Sequence, residues 1–222
     1  DPYLYKYDDK WKQLKVKKVP IKVKLFGPFS WTFKREALWS VHGPVLRGKH
    51  ATYAIRYANY EDIRVVEQWY RMNKATNFDE WNSAMSITAI PMFNAGYADK
   101  TGNIFYIYNA KLPLRAEGYD WEGVLPGNSS DVVWTEYLPY ADLPQVLNPT
   151  SGFIQNCNNT PFITTTGEDN PDKKNYPDSF GIESRMSNRA LRAMELFGED
   201  PSISREEFEQ YKFDLRYSDD SY

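Results

Sequence analysis

The chain of 222 residues holds one cysteine, two histidines and no apolar run of membrane-spanning length, and each shortage closes off a class of function. A lone Cys157 excludes an intrachain disulfide and any zinc site built on several thiolates. It stands in Gln155-Asn-Cys-Asn-Asn159 with no His nearby in sequence, so it reads as a packed thiol rather than a nucleophile. His42 and His50 have no Gly-x-Ser-x-Gly elbow to partner them, which removes the Ser–His reading. His42, in His42-Gly-Pro44, reads as part of a bend. Positive charge is short as well: 27 Lys and Arg against 30 Asp and Glu leave a net charge of −3. Nucleic acid calls for a basic surface, so no nucleic-acid partner is expected. No segment has the pattern of a signal peptide or a spanning helix, and no membrane partner is expected. For a chain that begins internally, that absence carries no information on export. No internal repeat is present.

Aromatic residues, by contrast, are plentiful: 17 Tyr, 12 Phe and 7 Trp suit broad sheet faces or an apolar pocket. The length allows one large domain or two small ones with a sizeable core. Trp11–Pro28 is predicted as a β-ribbon, with a break at Val19-Pro20 and a turn at Gly27-Pro28. Lys10–Lys24 alternates Lys with Val, Leu and Ile, the period of a strand with a solvated Lys face rather than a polybasic patch. Strands at Lys34–Val41 and Thr52–Ala58 flank a bent connection, HGPVLRGKH. Ile63, Val66, Trp69 and Tyr70 recur at helical spacing and predict a helix within Ala58–Lys74. Asn77, with Glu80 three residues on, opens a second helix reaching about Ala89.

Further along, Glu117–Pro149 is rich in Gly, Pro and Trp and reads as a long loop anchored by Trp121 and Trp134. Phe153–Asn156 is predicted as a short strand and Thr164–Asp178 as an exposed polar loop. Helices are expected at Ser187–Leu196 and at Ser202–Tyr211, the latter opened by a Ser204–Glu207 capping box.

The richest stretch is Pro91–Arg115, PMFNAGYADKTGNIFYIYNAKLPLR. It reads as strand, tight turn at Asp99–Asn103, and strand, because Gly and Asn supply the positive φ a hairpin needs. The hairpin itself does not require a polar Asn94 between Phe93 and Ala95. An amide there is satisfied by strand-edge backbone or aimed at a ligand. Asp99 and Asn103 fall short of a calcium ligand set and read as a turn held by its own side chains.

Four words, SVHGPVL at Ser40–Leu46, FNAGYADKTGNIFY at Phe93–Tyr106, LPLR ending in Arg115 and NPTSGFIQNCNNTP at Asn148–Pro161, resemble the penicillin acylase family of N-terminal nucleophile hydrolases in order and spacing. The resemblance spans roughly residues 1–217. It implies an α+β fold, part of a four-layer αββα core of antiparallel sheets flanked by helices. It also implies a Ser, Thr or Cys nucleophile freed by self-cleavage, whose own amino group is the base. Asp1 cannot serve, since it lacks a hydroxyl or thiol. Asp1–Lys24 resembles a part of the large subunit well after its start. Residues 1–222 are thus expected to be a single piece of the large-subunit domain, truncated at both ends, with the nucleophile upstream and the chain alone inactive.

The family's side-chain oxyanion donor is an Asn standing five residues before the Asp of an Ala-Asp pair, the place Asn94 takes relative to Asp99. Arg115 matches an Arg that orients catalytic groups or substrate, though a surface Arg ending a strand would look the same. Asn158 and Asn159 resemble family residues that lie near the nucleophile's amine, candidates for a place behind the groups that touch substrate. The implied activity is hydrolysis of linear amide bonds in acylated small molecules: β-lactam side chains, acyl-homoserine lactones or lipopeptides. The implied partners are that substrate, the small subunit and the rest of the large subunit. No cofactor is implied; the family allows calcium in the full-length parent, with ligands mostly outside this piece. The implied location is periplasmic or secreted. A non-catalytic acyl-binding protein retaining the acylase sheet is the alternative.

Overall fold

Runs of alternating Lys and β-branched residues, short Asx turns and two aromatic strands give a mixed α+β chain with antiparallel sheets. The computed structural model describes residues 1–221. The chain divides into two units, one made of Asp1–Tyr60 with Leu114–Glu136, the other of Glu61–Pro113 with the chain from Tyr137 onward.

In the first unit, β1 (Leu4–Tyr7) and β2 (Lys10–Gln13) form a hairpin. Its turn residue Asp8 adopts a φ of 50° and accepts from Ser130 N at 2.9 Å, tying the turn to the later loop. Next come β3 (Lys15–Lys24), β4 (Ser30–Ser40), β5 (Gly43–Arg47) and β6 (Thr52–Ala54), an antiparallel sheet in that order. Two sequence expectations fail here. Val19-Pro20 does not break β3: Pro20 pairs with Lys34, because β3 is an edge strand where a missing N–H can face solvent. The connection HGPVLRGKH is not merely bent but contains β5, Val45 pairing with both Leu38 and Ala54. Gly43 makes this close approach feasible. Its φ is +130°, and a Cβ there would lie 2.1 Å from the Ile55 carbonyl oxygen.

In the second unit, α1 (Val65–Lys74) and α2 (Phe78–Met85) precede the sheet β7 (Met92–Ala98), β8 (Ile104–Ala110) and β9 (Gln145–Leu147), ordered β7-β8-β9. α2 starts where expected, with Asn77 Oδ1 accepting from Glu80 N at 2.9 Å, but stops at Met85. Successive side chains on a strand face opposite ways. One face of β7–β8 carries Phe93, Ala95, Tyr97, Phe105 and Ile107 against the helices: the Trp81 ring meets Tyr97 at 5.1 Å and Phe105 at 6.0 Å, and Trp69 meets Phe93 at 5.6 Å. Burying residues of this size contributes about 1.5–3 kcal/mol each.

Between helices and sheet lies a wholly buried amide pair. Gln68 Nε2 donates to Asn109 Oδ1 at 3.0 Å while Gln68 Oε1 accepts from Ala89 N and Ile90 N at 2.7 and 3.0 Å. Gln68 is thus the buried residue of α1, whereas Val66, Trp69 and Tyr70 on the expected core face are exposed.

The remaining chain is largely loop. Phe153–Asn156 forms no strand; Gln155 instead bonds Thr164 O through its backbone N at 2.7 Å and Ile163 O through Nε2 at 2.7 Å. Thr164 and Thr165, in the segment expected to be exposed, are buried, and Asn170 Oδ1 satisfies both their amides there, at 2.8 and 3.2 Å. Such side chains replace a ladder. Helices α3 (Asn188–Gly198) and α4 (Arg205–Lys212) have side-chain caps at Ser187 and Ser204, the second a full capping box with Glu207.

Candidate active site

Asn94 sits on β7 on the face turned away from α1 and α2, directly opposite Tyr108. Gly96 follows two residues on, facing Tyr106 across the strand pair. The buried Tyr106 hydroxyl donates to Asn94 Oδ1 at 2.8 Å. That contact settles which end of the amide points where: Nδ2 is directed at the Asn-rich turn, toward Asn156 Oδ1 at 3.2 Å and Asn159 O at 3.4 Å. Both lie at the long end for N–H···O bonds. Burial raises the Tyr106 pKa, so its hydroxyl keeps its proton and remains a donor.

The turn that faces Nδ2 is held by its own amides. Asn159, buried, accepts from Cys157 N at 2.9 Å and donates to Thr160 O at 2.9 Å. Asn158, at φ 59°, accepts from Arg189 of α3 at 3.3 Å, and Arg189 also donates to Cys157 O at 3.0 Å. Burial pushes the Cys157 thiol pKa up, with Arg189 opposing; a thiol so placed is a poor nucleophile. Of the residues singled out in the sequence, Asn94 and Asn159 are in direct contact and Asn158 stands on the same turn. Tyr106 and Asn156 were not singled out. Both were within reach: Tyr106 once the hairpin register is known, Asn156 as part of the same Asn-rich word.

Arg115 belongs to the first unit. Its guanidinium carbon lies 5.1 Å from the Trp121 ring centroid and 5.5 Å from that of Trp134, and burial lowers its pKa from the usual value. Trp134 is buried and Trp121 donates to Ala116 O at 2.9 Å, so both anchor the long loop as expected. This stacking is a cation–π arrangement that orients a cation as well as holding it.

The Asp99 turn is self-sufficient. Its carboxylate accepts from Thr101 N and Oγ1, Asn103 N and Nδ2, and the Tyr97 hydroxyl, at 2.6–3.1 Å. Hydrogen bonds from Thr101, then Asn103, hold its carboxyl well below the usual carboxylate range. Among the described residues no group of three or more His, Cys, Asp or Glu side chains is placed to hold a metal ion. His42 is buried, with Nε2 2.9 Å from Gly127 O, a structural contact.

These features can be set beside known proteins. The penicillin amidase family model matches residues 1–220. Penicillin G acylase of Escherichia coli is 32% identical over 164 residues, covering 72% of this chain and 19% of that protein. Acyl-homoserine lactone acylase PvdQ of Pseudomonas fluorescens (strain Pf0-1) is 27% identical over 195 residues, covering 76% of this chain and 25% of its own length. A thermostable penicillin G acylase from Alcaligenes faecalis superposes with a TM-score of 0.74 at 22% identity, over 95% of this chain and 36% of that one. The chain therefore spans about a fifth to a quarter of the curated relatives it matches, and its mixed α+β fold matches part of that penicillin acylase structure. By sequence and by fold, the chain belongs to the penicillin amidase family.

Proposed function

We propose that the protein carrying this segment hydrolyses linear amide bonds of acylated small molecules, such as β-lactam side chains, acyl-homoserine lactones or lipopeptides, and that Asn94 is its side-chain oxyanion donor. The observation that carries this reading is the fixed orientation of one amide. Tyr106 holds Asn94 Oδ1, which leaves Nδ2 as the projecting end, engaged among the described residues by two long contacts to a turn. An oxyanion is a stronger acceptor than a neutral amide oxygen, so it would displace those contacts at little cost.

In the proposed reaction a Ser, Thr or Cys nucleophile outside residues 1–222 attacks the amide carbonyl. Its own α-amino group takes the proton and passes it to the departing amine, leaving an acyl-enzyme that water then hydrolyses. Asn94 Nδ2–H, with a backbone N–H from the missing part, holds the negative oxygen. Such a donor contributes about 3–4 kcal/mol to the transition state. No cofactor is needed for this chemistry. Asn158 and Asn159 brace the turn facing Nδ2, and Arg115 orients neighbouring groups through its two Trp rings. The small subunit and the rest of the large subunit are the proposed partners, and the periplasm or exterior the proposed location.

Two measurements test this. The purified 222-residue chain is assayed against phenylacetyl-, octanoyl- and decanoyl-amide substrates; no turnover is expected, and hydrolysis of any of them overturns an external nucleophile. In the longer native protein, N-terminal sequencing is expected to find Ser, Thr or Cys at the head of the chain containing Asn94. A native chain that starts near Asp1 and binds acyl amides without turnover would instead identify a binding protein.

A further inference from the structure

Every residue from Lys15 to Thr32 is exposed, although the stretch is a regular antiparallel hairpin of β3 and β4. Its register sorts the side chains. Val19, Ile21 and Val23 lie on one face with their partners Arg35, Phe33 and Trp31, while Lys18, Lys22 and Lys24 lie on the other. The apolar face continues into the tip, where Leu25, Phe26, Phe29 and Trp31 are 57–70% exposed. Rings pair along it: Phe26 with Phe29 at 5.2 Å and Trp31 with Phe33 at 5.1 Å. The tip is preformed, with Leu25 N donating to Phe29 O and Phe29 N to Phe26 O, both at 3.0 Å, so little ordering remains for a binding event to cost.

Charge identifies the occupant. Nothing between Lys24 and Lys34 is charged, yet Lys15–Glu36 carries seven cations against Glu36 alone, in a chain of net charge −3. Six of the seven are Lys. Lys is depleted in protein–protein interfaces, where Arg is favoured, but suits a bilayer surface: its stem lies along apolar matter while the ammonium reaches anionic headgroups. Trp and Phe at a tip ringed by Lys match the aromatic and basic composition of membrane–water interfaces. At about 3.3 Å per residue, Lys24 stands roughly 10 Å behind the Gly27 apex, comparable with the ~5–10 Å to which interfacial apolar side chains sink.

We propose that the tip of this hairpin, Leu25 to Trp31, docks the protein on an anionic lipid surface, the apolar rings entering the headgroup region and Lys22, Lys24 and Lys34 pairing with lipid phosphates. This revises the sequence expectation of no membrane partner and a merely solvated Lys face. It is surface docking: no helix among the described residues is long and apolar enough to cross a membrane. The proposal stands apart from the catalytic reading.

The test is co-sedimentation of the native protein that carries this hairpin, and of the 222-residue chain beside it, with vesicles of phosphatidylcholine and phosphatidylglycerol (7:3) and with pure phosphatidylcholine. Binding by the 222-residue chain that the native protein lacks overturns the proposal, assigning the tip to a contact within the parent. The expected result is binding to the mixed vesicles at least tenfold tighter than to neutral ones, falling at least fivefold at high salt. Phe26→Ser/Phe29→Ser and Lys22→Glu/Lys24→Glu are each expected to lower binding at least tenfold; all four side chains are exposed, and circular dichroism confirms that the fold is kept. No binding to anionic vesicles overturns the proposal. So does equal binding to neutral vesicles, or tip variants that bind as wild type. A dimer by size exclusion that Phe26→Ser/Phe29→Ser dissolves would also overturn it, assigning the tip to a second copy.

Discussion

The Tyr106 hydroxyl donates to Asn94 Oδ1 at 2.8 Å, from a ring that is only 1% exposed. The two residues come from adjacent strands of one hairpin, two register positions apart, so the sheet itself sets the direction of the Asn94 amide. Tyr106 is therefore a positioning residue for the proposed oxyanion donor. In an active protein that carries this segment, on the reading proposed above, Asn94→Ala is expected to lower kcat about 10²–10³-fold. Tyr106→Phe removes only the orienting bond and is expected to lower kcat about tenfold with KM unchanged. Steady-state kinetics on one acyl amide check both. A Tyr106→Phe effect confined to KM or to thermal stability would show a packing role instead.

The Gln68–Asn109 pair gives a second prediction, on stability. Gln68→Leu fills a similar volume but strands the Ala89 and Ile90 amides and leaves Asn109 Oδ1 without its 3.0 Å donor. Each buried unsatisfied group costs about 1–3 kcal/mol, so a loss of about 3 kcal/mol or more is expected. Urea denaturation of the chain measures it. Gln68→Leu together with Asn109→Leu is expected to recover part of the loss, because an apolar pair leaves fewer orphaned groups.

Gly43 gives a third. Alanine would place Cβ 2.1 Å from the Ile55 carbonyl oxygen at a φ of +130°. Overpacking against backbone costs about 1–3 kcal/mol, and the strained φ adds to it. Gly43→Ala is expected to lower Tm and speed amide exchange in β5 and β6, whereas Gly27→Ala, with no atom within 4 Å of the added Cβ, keeps β5 and β6 intact.

The fourth concerns pH. Burial lowers the His42 pKa from its usual 6.5; nearby Arg56 and Lys12 lower it further and the Gly127 carbonyl opposes. Folded His42 thus resists protonation more than unfolded His42. Above about pH 6.5 both forms are neutral and the group has no effect on stability. As pH falls below that value the unfolded chain takes up its proton first, so stability drops. His42→Gln is expected to remove this part of the acid sensitivity between pH 7 and 5, read as Tm against pH. An unchanged slope in the variant would show that His42 titrates alike in both states.

Much of the local structure could be read from residues alone. The Asp99–Asn103 turn, the strands either side of it, and the caps at Asn77 and Ser204 all stand where their side-chain chemistry puts them. The misses have a common cause. Pro20 and Gly43-Pro44 looked like breaks because a sequence does not say whether a strand is at an edge or what approaches it. Phe153–Asn156 looked like a strand because apolar spacing does not reveal that amide side chains will satisfy the backbone.

What the sequence determined by itself is local and chemical: turn geometry, helix starts, and the ordered words that mark the penicillin amidase family. These follow from neighbouring atoms within a few residues, so they are fixed before the chain is folded. What only the tertiary structure decided is which face of each element is covered. Helical spacing put Val66, Trp69 and Tyr70 on one side of α1, but packing buried Gln68 and left those three exposed. Strand alternation groups Asn94 with Gly96 and Tyr106 with Tyr108, but only the pairing of β7 with β8 puts the two sets on one face and brings hydroxyl and amide to 2.8 Å. Periodicity says which side chains travel together; burial and direction depend on atoms brought in from distant sequence.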